Sequence, residues 1–253
     1  NANPDRDEDL MTVRDNRTQV LLPGASLNKS VGKWVAFGGI HKGFTPAGSK
    51  EGVLPETSVN SELGIKHAHL PLQITAFHSA YDRLLGSDMA ASGGTGTGDM
   101  FNGGAALVQG IEARAGYSWK GFEINANVTF TDARFTDSFK SDFEEWSLVK
   151  VNDELPYVPQ FQGGLLLGYA VASYQFFVQC VYQTERRSVA GSGSADLPAS
   201  WVHNLGTSYT HKRFTFKLSI QNVLNSEHVV AARPAGYRLY APRMVLGTVM
   251  WSL

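Results

Sequence analysis

"GFEINANVTFTDARF", Gly121 to Phe135, carries an apolar residue at every second position from Phe122 to Phe130. Glu123, Asn125, Asn127 and Thr129 fall between them. Successive side chains of a strand point to opposite faces, so this segment reads as a strand with one oily side and one wet side. The alternation permits two oils, a soluble core or a lipid bilayer. The rest of the chain has to choose between them.

The same period of two recurs along the sequence. Tyr174, Phe176, Val178, Cys180 and Tyr182 alternate with Gln175, Gln179 and Gln183. Phe214, Phe216, Leu218 and Ile220 alternate with Thr215, Lys217, Ser219 and Gln221. Strands are expected at about 20–31, 33–44, 58–68, 70–85, 106–119, 121–135, 161–171, 173–187, 200–211, 213–223 and 240–253. Several exceed the five or six residues usual in globular sheets and fit the roughly nine to eleven needed to cross a bilayer at a tilt. One stretch, "SDFEEWSLVKVNDELP" (141–156), has a short, weak helical period.

The connections decide more than the strands. Short ones near "SVGK", "HAHLP", "WKG", "AVAS" and "HKR" alternate strictly with long ones such as "TPAGSKEGVLPET" and "RSVAGSGSADLPA". Outer-membrane barrels alternate tight periplasmic turns with longer extracellular loops, whereas a sandwich has no reason to do so. Trp34, Trp119, Phe122, Tyr174, Phe214 and Trp251 cluster beside the short turns, as an interfacial aromatic girdle would. The fold expected is all-β, an antiparallel up-and-down transmembrane β-barrel.

Other classes are excluded or weakened. A formal net charge of -1 gives no bulk attraction to nucleic acid. One cysteine permits neither a disulfide framework nor a Cys-based zinc site within the chain. No run approaches eighteen consecutive apolar residues, so no transmembrane helix is expected. The opening "NANPDRDEDL" lacks the basic start and apolar core of a signal peptide, which is therefore absent, removed or outside this fragment. If the short turns are periplasmic, the last strand ends there and the first starts outside. Residues 1–19 are then the end of an extracellular loop or a partial strand, and 20–253 the C-terminal part of a larger barrel.

Several segments resemble a known family. "FGGIHKGFTPAGS" followed by "LPETSVNSELGIKH", then "FNGGAALVQGIEARAGYSW", "SDFEEWSLVKVNDELPYVPQFQ" and the closing "LSIQNVLNSEHVVAARPAGYRLYAPRMVLGTVMWSL", resemble TonB-dependent outer-membrane receptors, most of all the ferric-dicitrate-receptor-like branch. The resemblance runs from about Leu21 to the end. It implies the C-terminal eleven or so strands of a 22-stranded barrel with a plugged lumen. It further implies a Gram-negative outer-membrane location and uptake of ferric citrate or another siderophore. The implied partners are lipid and lipopolysaccharide, the chain's own N-terminal barrel half and plug, and the TonB complex. No cofactor is implied. Two features depart from the family: Leu253 ends the chain where an aromatic is usual, and "GSDMAASGGTGTGDMFNGG" lacks a cysteine pair carried by many relatives.

Basic residues at the loop bases are the candidate site. Arg186 and Arg187 begin one long loop, Arg233 and Arg238 flank "PAGY" in the last, and Arg83 stands at another. Gln183 lies on the polar face just below the Arg186–Arg187 pair. Arginine offers planar paired donors to carboxylates, so this set suits an anionic ferric chelate. The competing reading pairs them with lumen carboxylates or with lipopolysaccharide phosphates. His41 and Lys42 sit near a further loop base. His67 and His69 share a face but fall at a turn without an acidic or cysteine partner, so the ordinary turn reading is preferred over a metal site. Cys180 has the parity of Phe176 and Val178 and is placed toward lipid. An outer-membrane lipase would need a Ser–His pair, yet His203 and Ser208 are an odd number of residues apart and no G-x-S-x-G elbow occurs. The chain is therefore read as a transporter part rather than an enzyme. Uptake of a non-iron nutrient and a soluble β-sandwich binding module stay as alternatives.

Overall fold

The computed structural model describes residues 19–47, 52–87, 100–140, 148–190, 196–233 and 236–252. Its strands are β1 (Gly24–Val31), β2 (Trp34–Thr45), β3 (Glu56–His67), β4 (Leu72–Asp82), β5 (Leu85–Ser87), β6 (Met100–Asn102), β7 (Ala106–Trp119), β8 (Phe122–Phe135), β9 (Phe139–Lys140) and β10 (Leu148–Val149). They continue as β11 (Phe161–Val171), β12 (Tyr174–Gln183), β13 (Arg186–Arg187), β14 (Asp196–Leu197), β15 (Ser200–His211), β16 (Phe214–Gln221), β17 (Val229–Arg233), β18 (Gly236–Leu239) and β19 (Met244–Trp251). Eleven of them form one antiparallel sheet in the order β1-β2-β3-β4-β7-β8-β11-β12-β15-β16-β19. Each strand pairs with its sequence neighbour in the sheet, and β1 and β19 are the two edges. The remaining strands form four small hairpins, all in the long connections.

All eleven expected strands are present. Where their ends differ, the backbone supplies the reason. The expected 70–85 strand stops at Asp82 because Arg83 turns to a φ of 56°. The expected 213–223 strand stops at Gln221 because Asn222 takes a φ of 49°. In the expected 173–187 strand the last rung is Thr184 N–H to the Phe161 carbonyl, after which Arg186–Arg187 pair with Asp196–Leu197 instead. The expected 240–253 strand starts only at Met244, since Pro242 has no N–H and the Arg243 N–H is taken by Asn225 Oδ1. The weak helical period of 141–156 forms no helix among the described residues: Leu148–Val149 pair with Lys140 and Phe139 as a β-hairpin, while 141–147 lie outside the described residues. So do residues 1–18 and most of the Gly-rich loop.

Register joins the alternating residues into two unlike faces. One row reads Tyr117–Ile124–Leu167–Val178–Leu205–Ile220–Val245, each residue directly opposite the next. Nearly all of this row is exposed. An apolar face spread over eleven strands far exceeds the few hundred Å² that a soluble surface tolerates. Two aromatic lines bound it. At the short turns lie Trp119, Phe122, Tyr169, Tyr174, Tyr209, Phe214 and Trp251, with ring pairs Phe122–Tyr169 at 4.4 Å and Tyr174–Tyr209 at 4.7 Å. Eight residues up β12, Phe130, Phe161, Tyr182 and Trp201 form a second line, with Tyr182–Trp201 at 4.4 Å. That spacing is roughly 26 Å along the strand, or about 20 Å after tilting.

The opposite face is polar, and its large rings lie flat. Phe37, Phe77 and Phe177 each cover the glycine directly opposite, namely Gly64, Gly110 and Gly206. A Cβ at Gly110 would come within 2.7 Å of the Phe77 ring. Glycine is required here by close approach.

Candidate functional site

The five long connections meet in one continuous layer. Asn102 clamps Leu54 on both sides, accepting from its N–H and donating to its carbonyl, each at 2.8 Å. Glu56 accepts from the Leu85 N–H at 2.8 Å. These bonds tie the 46–55 connection and the start of β3 to 83–105. The layer then closes over a small hydrophobic core of Ala106, Phe135, Val149 and Ala190, flanked by Tyr81, Leu84, Phe139 and Leu155. Three long connections contribute to it. Tyr81, Ala106 and Phe135 are opposite one another in the sheet and belong to the polar face, so the layer folds over that side. The short-turn end carries no such layer among the described residues. His67 instead caps its own turn there, its Nδ1 accepting from the N–H groups of His69 and Leu70.

The last connection is strapped by two side chains. Tyr157 Oη donates to the Ala232 carbonyl at 2.7 Å, and Arg186 Nη2 donates to that of Val230 at 3.3 Å. Arg186 is buried, and its Nη1 has no partner. Burial lowers its pKa from the ordinary value while the nearby Tyr157 opposes that, and arginine stays charged throughout. The result is a desolvated cation with spare donors, a group that attracts an anion. A cavity of about 400 Å³ opens beside it, lined among others by Gln160, Tyr182, Thr184, Glu185 and Arg187.

The structure separates the other candidates. Arg187, next in sequence to Arg186, places Nε 3.2 Å from Glu154 Oε2. Glu154 also lies 3.6 Å from Arg134 Nη2 and accepts from Gln160 Nε2 at 3.2 Å, so it serves as a local charge hub. Arg83 Nε is 3.1 Å from Asp82 Oδ2 but out of hydrogen-bonding alignment, and its Nη2 donates to Thr57 Oγ1 at 3.4 Å. Both Arg83 and Asp82 are well exposed, so that pair contributes little to stability. Gln183 Nε2 donates to Ser200 Oγ at 2.9 Å on the polar face. Arg238 is exposed on β18, and the side chain of Arg233 lies outside the described residues. Arg186, Arg187 and Gln183 thus gather at one loop base, with Arg83 at another.

Tyr157, Glu154 and His228 are site residues that sequence reading missed. His228 is buried and stacks on Tyr240 at 4.8 Å. Burial first, and the Arg186 charge second, hold its pKa below the ordinary 6.5. The folded loop therefore binds this proton less well than an opened one. Loop closure is at full strength above the open-state value of about 6.5 and weakens as pH falls below it. Limited proteolysis within 222–243 should accelerate between pH 7.5 and 5.5, and His228→Gln should flatten that dependence; equal slopes would remove His228 from the account.

Comparison with known proteins fits this geometry. A family model described as TonB dependent receptor-like, beta-barrel matches residues 2–223. No curated protein matches by sequence. Among solved structures, the ferric yersiniabactin uptake receptor of Yersinia pestis superposes with a TM-score of 0.71 at 15% identity, over 92% of this chain and 37% of that one. A mutant of the ferric enterobactin receptor of Pseudomonas aeruginosa gives 0.67 at 18%, over 92% and 40%. The ferric-catecholate import receptor of E. coli K12 gives 0.66 at 17%, over 91% and 34%. The chain spans at most two fifths of these relatives.

Proposed function

The chain belongs to the TonB-dependent receptor β-barrel family, and from that premise we propose that it forms wall and loops of an outer-membrane receptor that takes up a ferric chelate. The apolar face meets lipid, with lipopolysaccharide at its outer rim, and the polar face lines the lumen. A family of receptors carries ligands rather than transforming them, so the role is transport and not catalysis. Register supports this, because His203 stands opposite Cys180 on the apolar face while Ser208 stands opposite Gln175 on the polar one. The edges β1 and β19 present unpaired backbone groups, which a bilayer does not tolerate. Further strands, a lumen-filling plug and the TonB contact are proposed to come from an N-terminal part of the same receptor. Alone, this chain should not yield a heat-modifiable monomer on gels.

The observation that carries the ligand reading is Arg186, buried beneath the last connection with Nη1 unpartnered. Ferric siderophores present anionic oxygens that suit such a donor. The structurally similar receptors for ferric enterobactin and ferric yersiniabactin favour a siderophore class. The ferric-citrate resemblance is the narrower version. In the full-length receptor, Arg186→Gln combined with Arg238→Gln should weaken binding of radioiron-labelled enterobactin or citrate by about tenfold or more, the loss of one or two charge-assisted hydrogen bonds. Unchanged affinity for a chelate that the parent binds would remove this site. A parent that binds neither would favour a non-iron nutrient.

A further inference from the structure

We infer that the inner wall has two unlike halves, and that the strand pair β12–β15 forms a neutral, hydrogen-bonding track for the passing solute. The inference rests on the transport reading above. The observation is the distribution of charge on the polar face. Glu56, Glu62 and Lys66 of β3, Glu112 and Arg114 of β7, and Glu123 of β8 all project there. From β11 to β19 the same face carries Lys217 as its charged residue.

The neutral half is ordered. Ser208 Oγ donates to Gln175 Oε1 at 3.3 Å, Asn204 Nδ2 to Gln179 Oε1 at 2.9 Å, and Gln183 Nε2 to Ser200 Oγ at 2.9 Å. Each bond joins residues directly opposite one another. The rungs are four residues, about 13 Å, apart along β12. A carboxamide has two donors and an acceptor, so every rung keeps capacity to spare for a guest. Between the rungs, Phe177 lies over Gly206 and Val181 stands opposite Val202. At its outer end the track reaches Gln183, then Arg186.

Charge explains why the halves differ. Fixed charges of both signs on β3, β7 and β8 suit a complementary protein surface and hold it in one place. They would also trap a charged solute. Uncharged amides and hydroxyls engage a hydrophilic, hydrogen-bond-rich chelate weakly at each step, which permits release to the next. The lumen-filling segment is therefore held against the charged half, and hydration and passage run along the amide half.

The test compares positions in the same cross-strand row. Gln179 and Asn125 lie in one cross-strand row, and Gln183 and Glu112 in another. In full-length receptor with Cys180→Ser, single cysteines at these four positions are treated on cells with a water-soluble, membrane-impermeant maleimide. Gln179→Cys and Gln183→Cys should label about tenfold faster than Asn125→Cys and Glu112→Cys. Equal or reversed rates would overturn the assignment. In a second arm, Gln175→Leu with Gln179→Leu should slow uptake of radioiron-labelled enterobactin about fivefold at unchanged surface binding. Unchanged uptake would likewise overturn it. If the parent binds neither enterobactin nor citrate complexes, the ferric-chelate reading fails by itself and the labelling rates alone decide the track.

Discussion

Arginine at Val178 should prevent the full-length receptor from reaching its folded, heat-resistant form, while arginine at the adjacent Gln179 should be tolerated. Val178 lies midway between the aromatic lines at Tyr174 and Tyr182, about 13 Å along the strand from each. An arginine there is too far from either interface to place its charge in water. At a bilayer midplane the cost for a lipid-facing arginine is about 2–4 kcal/mol, a loss of roughly thirty- to several hundred-fold in the folded population. Gln179 belongs to the polar face, where its carboxamide meets Asn204. An arginine at that site stays hydrated, and its cost is the disturbed rung, about 1 kcal/mol. Refolding into lipid vesicles, read as the band shift between unheated and boiled samples, distinguishes the two. Equal yields would mean that the Val178 face does not meet lipid.

That contrast between neighbours also explains what the sequence could reveal. In a strand one residue's step changes the face, so alternation alone located all eleven wall strands and sorted Val178 from Gln179. Height is different. Phe130, Phe161, Tyr182 and Trp201 carry the right parity in sequence, but only register pairs Phe130 with Phe161 and Tyr182 with Trp201, and only the Phe161–Tyr182 ring contact at 6.0 Å joins them into a second aromatic line. The loop bases were the least legible. Arg83, Tyr157 and Asn222 hold positive φ values of 56°, 62° and 49°, in segments where no period operates. Arg186 and Arg187 are equivalent as letters. Burial under the last connection and pairing with Glu154 give them different chemistry, and each depends on residues more than thirty positions away. Tyr157 sits between Pro156 and Pro159 in a stretch that reads only as loop, yet it binds Ala232 across 75 residues.

Asn222→Ala should loosen the closing connection more than any other single truncation in the loop layer. Asn222 is 1% exposed, and its side chain satisfies three backbone groups. Nδ2 donates to the carbonyls of Ser226 at 3.1 Å and Ala241 at 3.0 Å, and Oδ1 accepts from the Ser226 N–H at 2.9 Å. Its own N–H donates to Asn204 Oδ1 at 2.9 Å, which joins the connection to the amide track. Alanine would strand those groups in a buried site and would sit at a positive φ that asparagine tolerates better. A cost of about 3 kcal/mol or more is expected from groups left unsatisfied at about 1–3 kcal/mol each. Glycine would relieve the backbone but restore no hydrogen bond, so it should fall near alanine. Aspartate would keep the acceptor for Ser226 N–H while turning a carboxylate toward two carbonyls, and should do no better. Because Ala241 leads directly into β19, the loss should reach the β16–β19 pairing. Because Val230 lies in the same connection, the Arg186 strap should slacken with it. Chymotryptic cleavage at Tyr237 and Tyr240 of the otherwise folded receptor should rise by about tenfold or more, and the heat-modification midpoint should fall. An alanine variant with parental cleavage and midpoint would show that the connection is held by the Tyr157 and Arg186 straps alone.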